Sequence, residues 1–344
     1  MSSVDDRILI AGPAWVGDMV MAQSLFKVLR AQSPQAKIDV VAPPWSEPLL
    51  ARMPEVRRAV PLHVGHGELK LGERLRTGRS LRGERYTHAI VMPRSLKAAL
   101  VPFFASIPLR TGFRGEMRYG LLNDVRRLDK AQLDQTVKRF MALGLPRGAE
   151  LPEPPYPSLE IDAQNRERFA GRLDAGQRDV VALMPGAAYG PAKCWPLDYF
   201  GELAAALAHH GTAVVVLGSK GEHAVGEQIR QAGGDGVFNL CGETRLEETV
   251  DILSLARAAV TNDSGLMHVA AAAGTHVIAI YGSSSAAFTP PLTASKTIVS
   301  LGLDCSPCFE RECPLGHLRC LREITPADML IHVQSVLRLK PGQS

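Results

Sequence analysis

The sequence predicts an α/β protein made of two Rossmann-like domains, each a parallel sheet covered by helices on both faces and facing a shared cleft. Three observations carry this. Short Val/Ile/Leu/Ala runs alternate with helical patterns along most of the 344 residues, the βαβα order of parallel sheets. A chain of that length favours two domains over one. The segment LPEPPYPSLEIDA places four prolines within seven residues, 152–158. No regular element tolerates that density, so the segment reads as a linker or sheet-edge crossing. The expected divisions are an N-terminal domain over 1–160, a C-terminal domain over 161–325, and a helix with a tail over 326–344.

Taken in order, RILIA (7–11) reads as a buried strand, followed by the loop GPAWVGD and a helix from about Asp18 to Gln32. KIDVVA (37–42) is a second strand; HAIVMP (88–93) is another, with a helix over SLKAALVPFFA after it. The second half is clearer. DVVALMP (179–185), AVVVLG (213–218), VFNL (237–240), AAVT (258–261), HVIAIYG (276–282) and TIVS (297–300) are short apolar strands. Helical patterns at about 198–210, 222–232, 246–256 and 265–273 separate them. The last helix starts with Thr325 as N-cap and Pro326 in the first helical position.

The composition, 46% hydrophobic and 22% charged, is that of an ordinary globular protein. No apolar run reaches about 18 residues, so no membrane-spanning helix is expected. The start, MSSVDDRILIAG, carries Asp5 and Asp6 and lacks the basic and long apolar regions of a signal peptide, which predicts a cytoplasmic protein. Residues 1–150 hold 24 Lys and Arg against 14 Asp and Glu, a balance of +10, while the remainder holds 15 against 21, a balance of −6. This asymmetry suggests an anionic partner for the first half. Aromatic interleaving is thin and no nucleic-acid module is present, so no nucleic-acid partner is expected.

In α/β sheets ligands sit beyond the carboxyl ends of strands, and the candidate motifs fall there. In TNDSGLMH, Asp263 or Ser264 can cap a helix, Gly265 removes a Cβ, and the amides from Ser264 through Leu266 to His268 face an anion at a helix N-terminus. A capped helix without a ligand explains the same residues, and a Ser264–His268 nucleophile pair lacks a G-x-S-x-G elbow. In MPGAAYGPAKCWP, Lys193 precedes a helix start and suits a phosphate; a surface lysine resting its stem on Trp195 is the plain alternative. In VLGSKGEHA, Glu222 is placed to accept from ribose hydroxyls, or merely to complement a helix dipole. In AGPAWVGDMV, Asp18 is the one carboxylate of its loop, either cap or catalyst. The loop lacks G-x-G-x-x-G, and the chain has no G-x-x-x-x-G-K-[ST], so neither a dinucleotide fingerprint nor a P-loop is supported.

Four of the six cysteines cluster in CSPCFERECPLGHLRC, namely Cys305, Cys308, Cys313 and Cys320. The spacing admits zinc, with His317 as a further ligand, but matches no familiar finger. Reduced structural thiols are the expectation, with no metal.

Together GPAWVGDMVMAQSL, RTGFRGEMRYGLLND (110–124), PGAAYGPAKCWP and TNDSGLMHVAAA resemble the ADP-heptose–lipopolysaccharide heptosyltransferases, over nearly the whole chain and in matching order. The resemblance implies a GT-B fold and an inverting transfer of L-glycero-D-manno-heptose from its ADP donor, with no cofactor. It implies an acceptor in the lipopolysaccharide inner core, the first heptose on Kdo2–lipid A. By motif, Asp18 resembles the catalytic base and Lys193 the lysine on the donor phosphates. Asp263, Ser264, Gly265, Leu266 and His268 match the nucleotide-sugar loop; Glu222 resembles the ribose-binding acid, and Thr244 lies where adenine packs. The basic run Arg110, Arg114, Arg118, Arg126 and Arg127 then has anionic targets in Kdo carboxylates and lipid A phosphates. The same charge suits peripheral association with the anionic inner face of the inner membrane. Two other readings stay open: a sister heptosyltransferase with a different core acceptor, and a non-catalytic protein that binds a nucleotide sugar or a metal.

Overall fold

The structure, a computed structural model, describes residues 6–65 and 67–338. The chain divides into two compact units, Met1–Pro157 and Ser158–Ser344.

The first unit contains strands β1 (Arg7–Ala11), β2 (Lys37–Ala42), β3 (Val56–Pro61), β4 (His88–Val91), β5 (Leu109–Phe113) and β6 (Asp124–Arg126). They form one sheet in the order β3-β2-β1-β4-β5-β6, with every pairing parallel. Among the described residues five α-helices accompany it: α1 (Val16–Gln32), α2 (Glu47–Leu50), α3 (Leu71–Ser80), α4 (Leu100–Phe104) and α5 (Thr136–Gly144). The central strands are apolar on both faces because helices cover both sides. Leu9, Ile10, Ile38, Val40 and Ile90 are fully buried, as are Met19, Leu25 and Phe26 of α1.

One charged residue breaks that rule. Asp39, in β2, is fully buried. It is satisfied by Arg57 (2.8 Å) and Arg58 (3.1 Å) of the neighbouring β3 and by the Tyr86 hydroxyl. Those arginines interrupt the apolar pattern of β3, which the hydrophobic alternation does not predict.

The second unit repeats the wiring. Strands β7 (Val180–Met184), β8 (Ala213–Val216), β9 (Val237–Asn239), β10 (Ala258–Asn262), β11 (His276–Ile280) and β12 (Lys296–Val299) lie in the order β12-β11-β10-β7-β8-β9, again all parallel. The helices are α6 (Ala163–Arg172), α7 (Leu197–His209), α8 (His223–Gly233), α9 (Leu246–Leu253), α10 (Gly265–Ala272), α11 (Arg319–Arg322) and α12 (Pro326–Arg338). One core joins Val181, Leu183, Val214, Val260 and Ile278 of the sheet to Phe200 and Leu203 of α7 and to Met329 and Val333 of α12. The start of α12 is the reciprocal cap expected of it: Asp328 N donates to Thr325 Oγ1 (3.2 Å), and Asp328 Oδ2 accepts from Thr325 N (3.0 Å).

The expected α/β class, two Rossmann-like halves with parallel sheets, is therefore what the chain forms. In each unit the first strand is central, the next two continue to one side and the fourth lies on the other. The chain thus reverses direction between β1 and β4, and again between β7 and β10. Such switch points leave a crevice between diverging loops at the carboxyl ends of the strands. Among the described residues no helix is long and apolar enough to cross a membrane.

Candidate functional site

At the switch point of the second unit, the loop after β7 and the start of α10 after β10 are tied together by Asn262. This side chain is fully buried. Its Oδ1 accepts from Trp195 N (3.0 Å), and its Nδ2 donates to the Pro185 carbonyl (2.6 Å). Both ends of the 185–195 loop are thereby pinned to the end of β10. Trp195 is core rather than a surface rest for lysine: it is 2% exposed, donates Nε1–H to Ile324 O (2.9 Å) and packs edge-on to Phe200. Lys193, two residues earlier, is held at the rim. Its Nζ meets Asp263 Oδ2 at 2.5 Å, with the side chains 18% and 6% exposed, and lies 5.2 Å from the Tyr189 ring centroid.

Ser264 occupies the N-cap of α10 in extended conformation, but its side chain makes no capping bond. The expectation that Asp263 or Ser264 caps the helix is corrected here. Asp263 is engaged with Lys193, and Ser264 Oγ lies 3.4 Å from Thr261 Oγ1. The first-turn amides are left without a side-chain acceptor, so the positive end of the helix is available to an anion. Ser264, Gly265 and Leu266 are half-buried there. His268 is buried, and burial pushes its imidazole down to about 4, so it is neutral at physiological pH. Its Nδ1 has no hydrogen-bond partner, and no Ser264–His268 nucleophile pair forms.

Glu222 closes the 3-10 turn Lys220–Glu222 after β8. It is the acidic member of a capping box with Ser219, and Oε2 accepts from Ser219 N (2.6 Å). Its other oxygen reaches the loop after β7. A Cβ built on Gly186 would lie 1.6 Å from Glu222 Oε1, so the absence of a side chain there is what lets the carboxylate take this position. A Cβ on Gly242 would lie 2.5 Å from Lys220 Cα, which packs the loop after β9 onto the same turn. Thr244 follows in that loop, half-buried, its hydroxyl 3.2 Å from that of Thr249. The structure thus brings Lys193, Glu222, Asp263, Ser264, Gly265, Leu266 and His268 to the ends of adjacent strands β8, β7 and β10, with Thr244 one strand further out.

In the first unit Asp18 is the third residue of α1, at the β1/β4 switch point. The turn before it is tight: Gly12 N donates to Val41 O (2.9 Å), and a Cβ on Gly12 would lie 3.0 Å from Met19 and Val40 side chains. Burial pushes the Asp18 carboxyl up to about 6, which makes it a far better base than an ordinary aspartate.

The basic cluster is a partial correction. Arg118 is 2% exposed. It donates to the carbonyls of Pro93 (2.6 Å), Ser95 (3.1 Å) and Phe113 (2.6 Å). Arg110 donates to Leu121 O (2.6 Å), Gly120 O (3.3 Å) and Ile107 O, and Arg126 to Ala142 O, Leu145 O and Asp124. These three clasp the chain around β5 and β6 rather than presenting open guanidinium groups. Arg114 and Arg127 are exposed. The cysteines Cys305, Cys308, Cys313 and Cys320 are free thiols around one small cavity. As the side chains stand, no three His, Cys, Asp or Glu among the described residues are arranged to hold an ion.

Sequence reasoning assigned no role to Asn262 or Gly186. Asn262 stood inside the TNDSG motif; a buried amide at a strand end, which must find partners for both its donor and its acceptor, was the available signal.

The model of glycosyltransferase family 9 (heptosyltransferase) matches residues 74–319. Lipopolysaccharide heptosyltransferase 2 of Salmonella typhimurium is 45% identical over 342 residues, covering 96% of this chain and 98% of that protein. The Escherichia coli K12 protein of the same name is 44% identical with the same coverage. The solved structure of E. coli ADP-heptose lps heptosyltransferase II superposes with a TM-score of 0.86 at 42% identity, covering 96% of this chain and 98% of the other.

Proposed function

This chain belongs to glycosyltransferase family 9, the heptosyltransferases, and on that premise we propose that it moves L-glycero-D-manno-heptose from ADP-heptose onto the first heptose of the lipopolysaccharide inner core, on a Kdo2–lipid A acceptor. The observation that carries the reading is the Lys193 ammonium beside the uncapped start of α10 at the β7/β10 switch point. A fixed cation and free peptide N–H groups there suit a diphosphate.

The transfer is a direct displacement. An acceptor hydroxyl attacks the anomeric carbon as the bond to the diphosphate oxygen breaks, through a transition state of oxocarbenium character. Negative charge grows on the departing ADP. Lys193 and the amides of Ser264 to His268 meet it, and such preorganised donors are each worth about 10²–10³ in rate. Asp18 takes the proton of the attacking hydroxyl, a contribution of about 10²–10⁴. Glu222 supports the ribose, and Thr244 lies beside the adenine. His268, neutral, adds no charge against Lys193. Lys193 and the helix amides do the work a divalent cation does elsewhere, so the transfer step itself requires no metal. Exposed Arg114 and Arg127 offer forks for acceptor carboxylates and phosphates. The same basic surface supports residence on the cytoplasmic face of an anionic membrane.

The test is transfer by purified protein from ADP-heptose to Kdo2–lipid A with and without its first heptose. Transfer only to the heptosylated acceptor is expected. Preference for the bare acceptor would identify a sister enzyme, and absence of transfer to either would refute the reading.

A further inference from the structure

The transfer chemistry leaves the cysteine segment without a role, although it lies against the loop that carries Lys193. Cys305, Cys308, Cys313 and Cys320 line one cavity of about 20 Å³, shared with Ser283, His317 and Ala192. Three features of this cavity point to an occupant. The Ser283 hydroxyl is buried and has no hydrogen-bond partner. Buried hydroxyls are ordinarily satisfied, and this residue lines the same cavity as the four cysteines. The chain turns back on itself beside Cys313 over residues 313–318. That turn is closed by Gly316 N to Cys313 O (3.0 Å) and uses left-handed backbone at Gly316 and Leu318. His317 Nδ1 already accepts from Arg319 N (3.0 Å), which leaves the four sulfurs as the natural ligand set.

We propose that Cys305, Cys308, Cys313 and Cys320 form a structural zinc site that stiffens the loop holding Lys193. Zinc favours four tetrahedral thiolates in structural sites. Among the described residues the four sulfurs do not stand as a ready-made ion cage, so binding has to draw them together, and metal affinity is coupled to that ordering. Each cysteine loses its proton to solvent, and each sulfur gives a lone pair to zinc. The Ser283 hydroxyl then donates to a bound sulfur, as outer-shell groups around metal thiolates do. The coupling to the loop is direct. Ala192 N donates to Arg311 O (3.0 Å), and Tyr189 OH donates to Phe309 O (2.8 Å). Gly190 is so close that a Cβ would lie 2.6 Å from Arg311 O. The consequence for the donor rests on the role given above to Lys193; the metal site itself does not.

The experiment is a cobalt titration of the reduced, metal-stripped full chain under anaerobic conditions, with limited proteolysis of the 186–194 loop in parallel. One equivalent of cobalt giving thiolate charge-transfer absorption, displaced by zinc, is expected, together with slower cleavage of the loop in the metal-bound form. Ser283→Ala should weaken zinc affinity by about 10–100-fold while leaving the fold intact, and Cys308→Ser should lose the four-sulfur spectrum. Absence of a thiolate–cobalt band, or thiols that close into disulfides and leave no metal affinity, would overturn the proposal. A normal band with unchanged proteolysis would overturn the coupling to the loop. None of these readouts depends on heptose transfer.

Discussion

Lys193 and Asp263 form a 2.5 Å ion pair that joins the loop leaving β7 to the end of β10. Because Asp263 is almost fully buried, its carboxylate depends on that ammonium. Lys193→Met strands the charge and is expected to cost about 1.5–3 kcal/mol. Adding Asp263→Asn removes the stranded charge, so the double variant should lose less than the sum, with a coupling of about 0.5–3 kcal/mol. Urea midpoints of the four proteins measure this; additive losses would contradict the pair's role.

Asp18 carries two opposite consequences of its raised pKa. In the folded chain it keeps its proton to about pH 6, against an ordinary 3.8. The unfolded chain releases that proton earlier, so stability falls as pH rises from about 4 through 6 and then levels off. Asp18→Asn should therefore be more stable than the parent at pH 8, by about 1–3 kcal/mol, and equal to it near pH 3. Catalysis should run the other way. The parent's kcat/KM should climb to half its maximum near pH 6, and the variant should lose about 10²–10⁴ in kcat while binding ADP normally. Thermal melts across pH and a pH–rate profile check both arms.

Gly186 faces Glu222 so closely that any side chain must push the carboxylate away. Gly186→Ala is expected to raise KM for the donor about tenfold or more, the value of a lost charged hydrogen bond, with a smaller effect on kcat. An unchanged KM would remove Glu222 from donor binding.

The arginines should separate by role. Arg118→Ala leaves three main-chain carbonyls unmet in a buried place and should destabilise the chain by about 2–4 kcal/mol. Arg114→Ala should leave the melting temperature nearly unchanged and raise KM for the acceptor. The reverse pattern would return acceptor binding to Arg118.

Central strands and strand-end motifs were legible because burial on both faces writes unbroken Val/Ile/Leu runs, and because Gly, Asn, Asp and Ser punctuate the junctions. The outer strands of the first unit were not. VRRAVP carries two arginines whose partner, Asp39, is invisible without the pairing of β2 and β3. LRTGF, one strand in from the edge, and DVR, at the edge, are short and interrupted by Arg, Thr and Asp. That Lys193, Glu222 and Asp263 follow strand ends was readable from position alone. The arginine cluster was half misread, since charge on a page does not distinguish a fork aimed at solvent from one closed on carbonyls, as Arg110 and Arg118 are. The clamp at Asn262 was hidden for the same reason: its two partners, Pro185 and Trp195, lie 77 and 67 residues away.

The central claim is that Lys193, with the free amides of α10, holds the diphosphate. Calorimetric titration of ADP into the parent and into Lys193→Met tests it most directly. The account predicts that the variant binds ADP about 10–100-fold more weakly; equal affinity in a folded variant would contradict it.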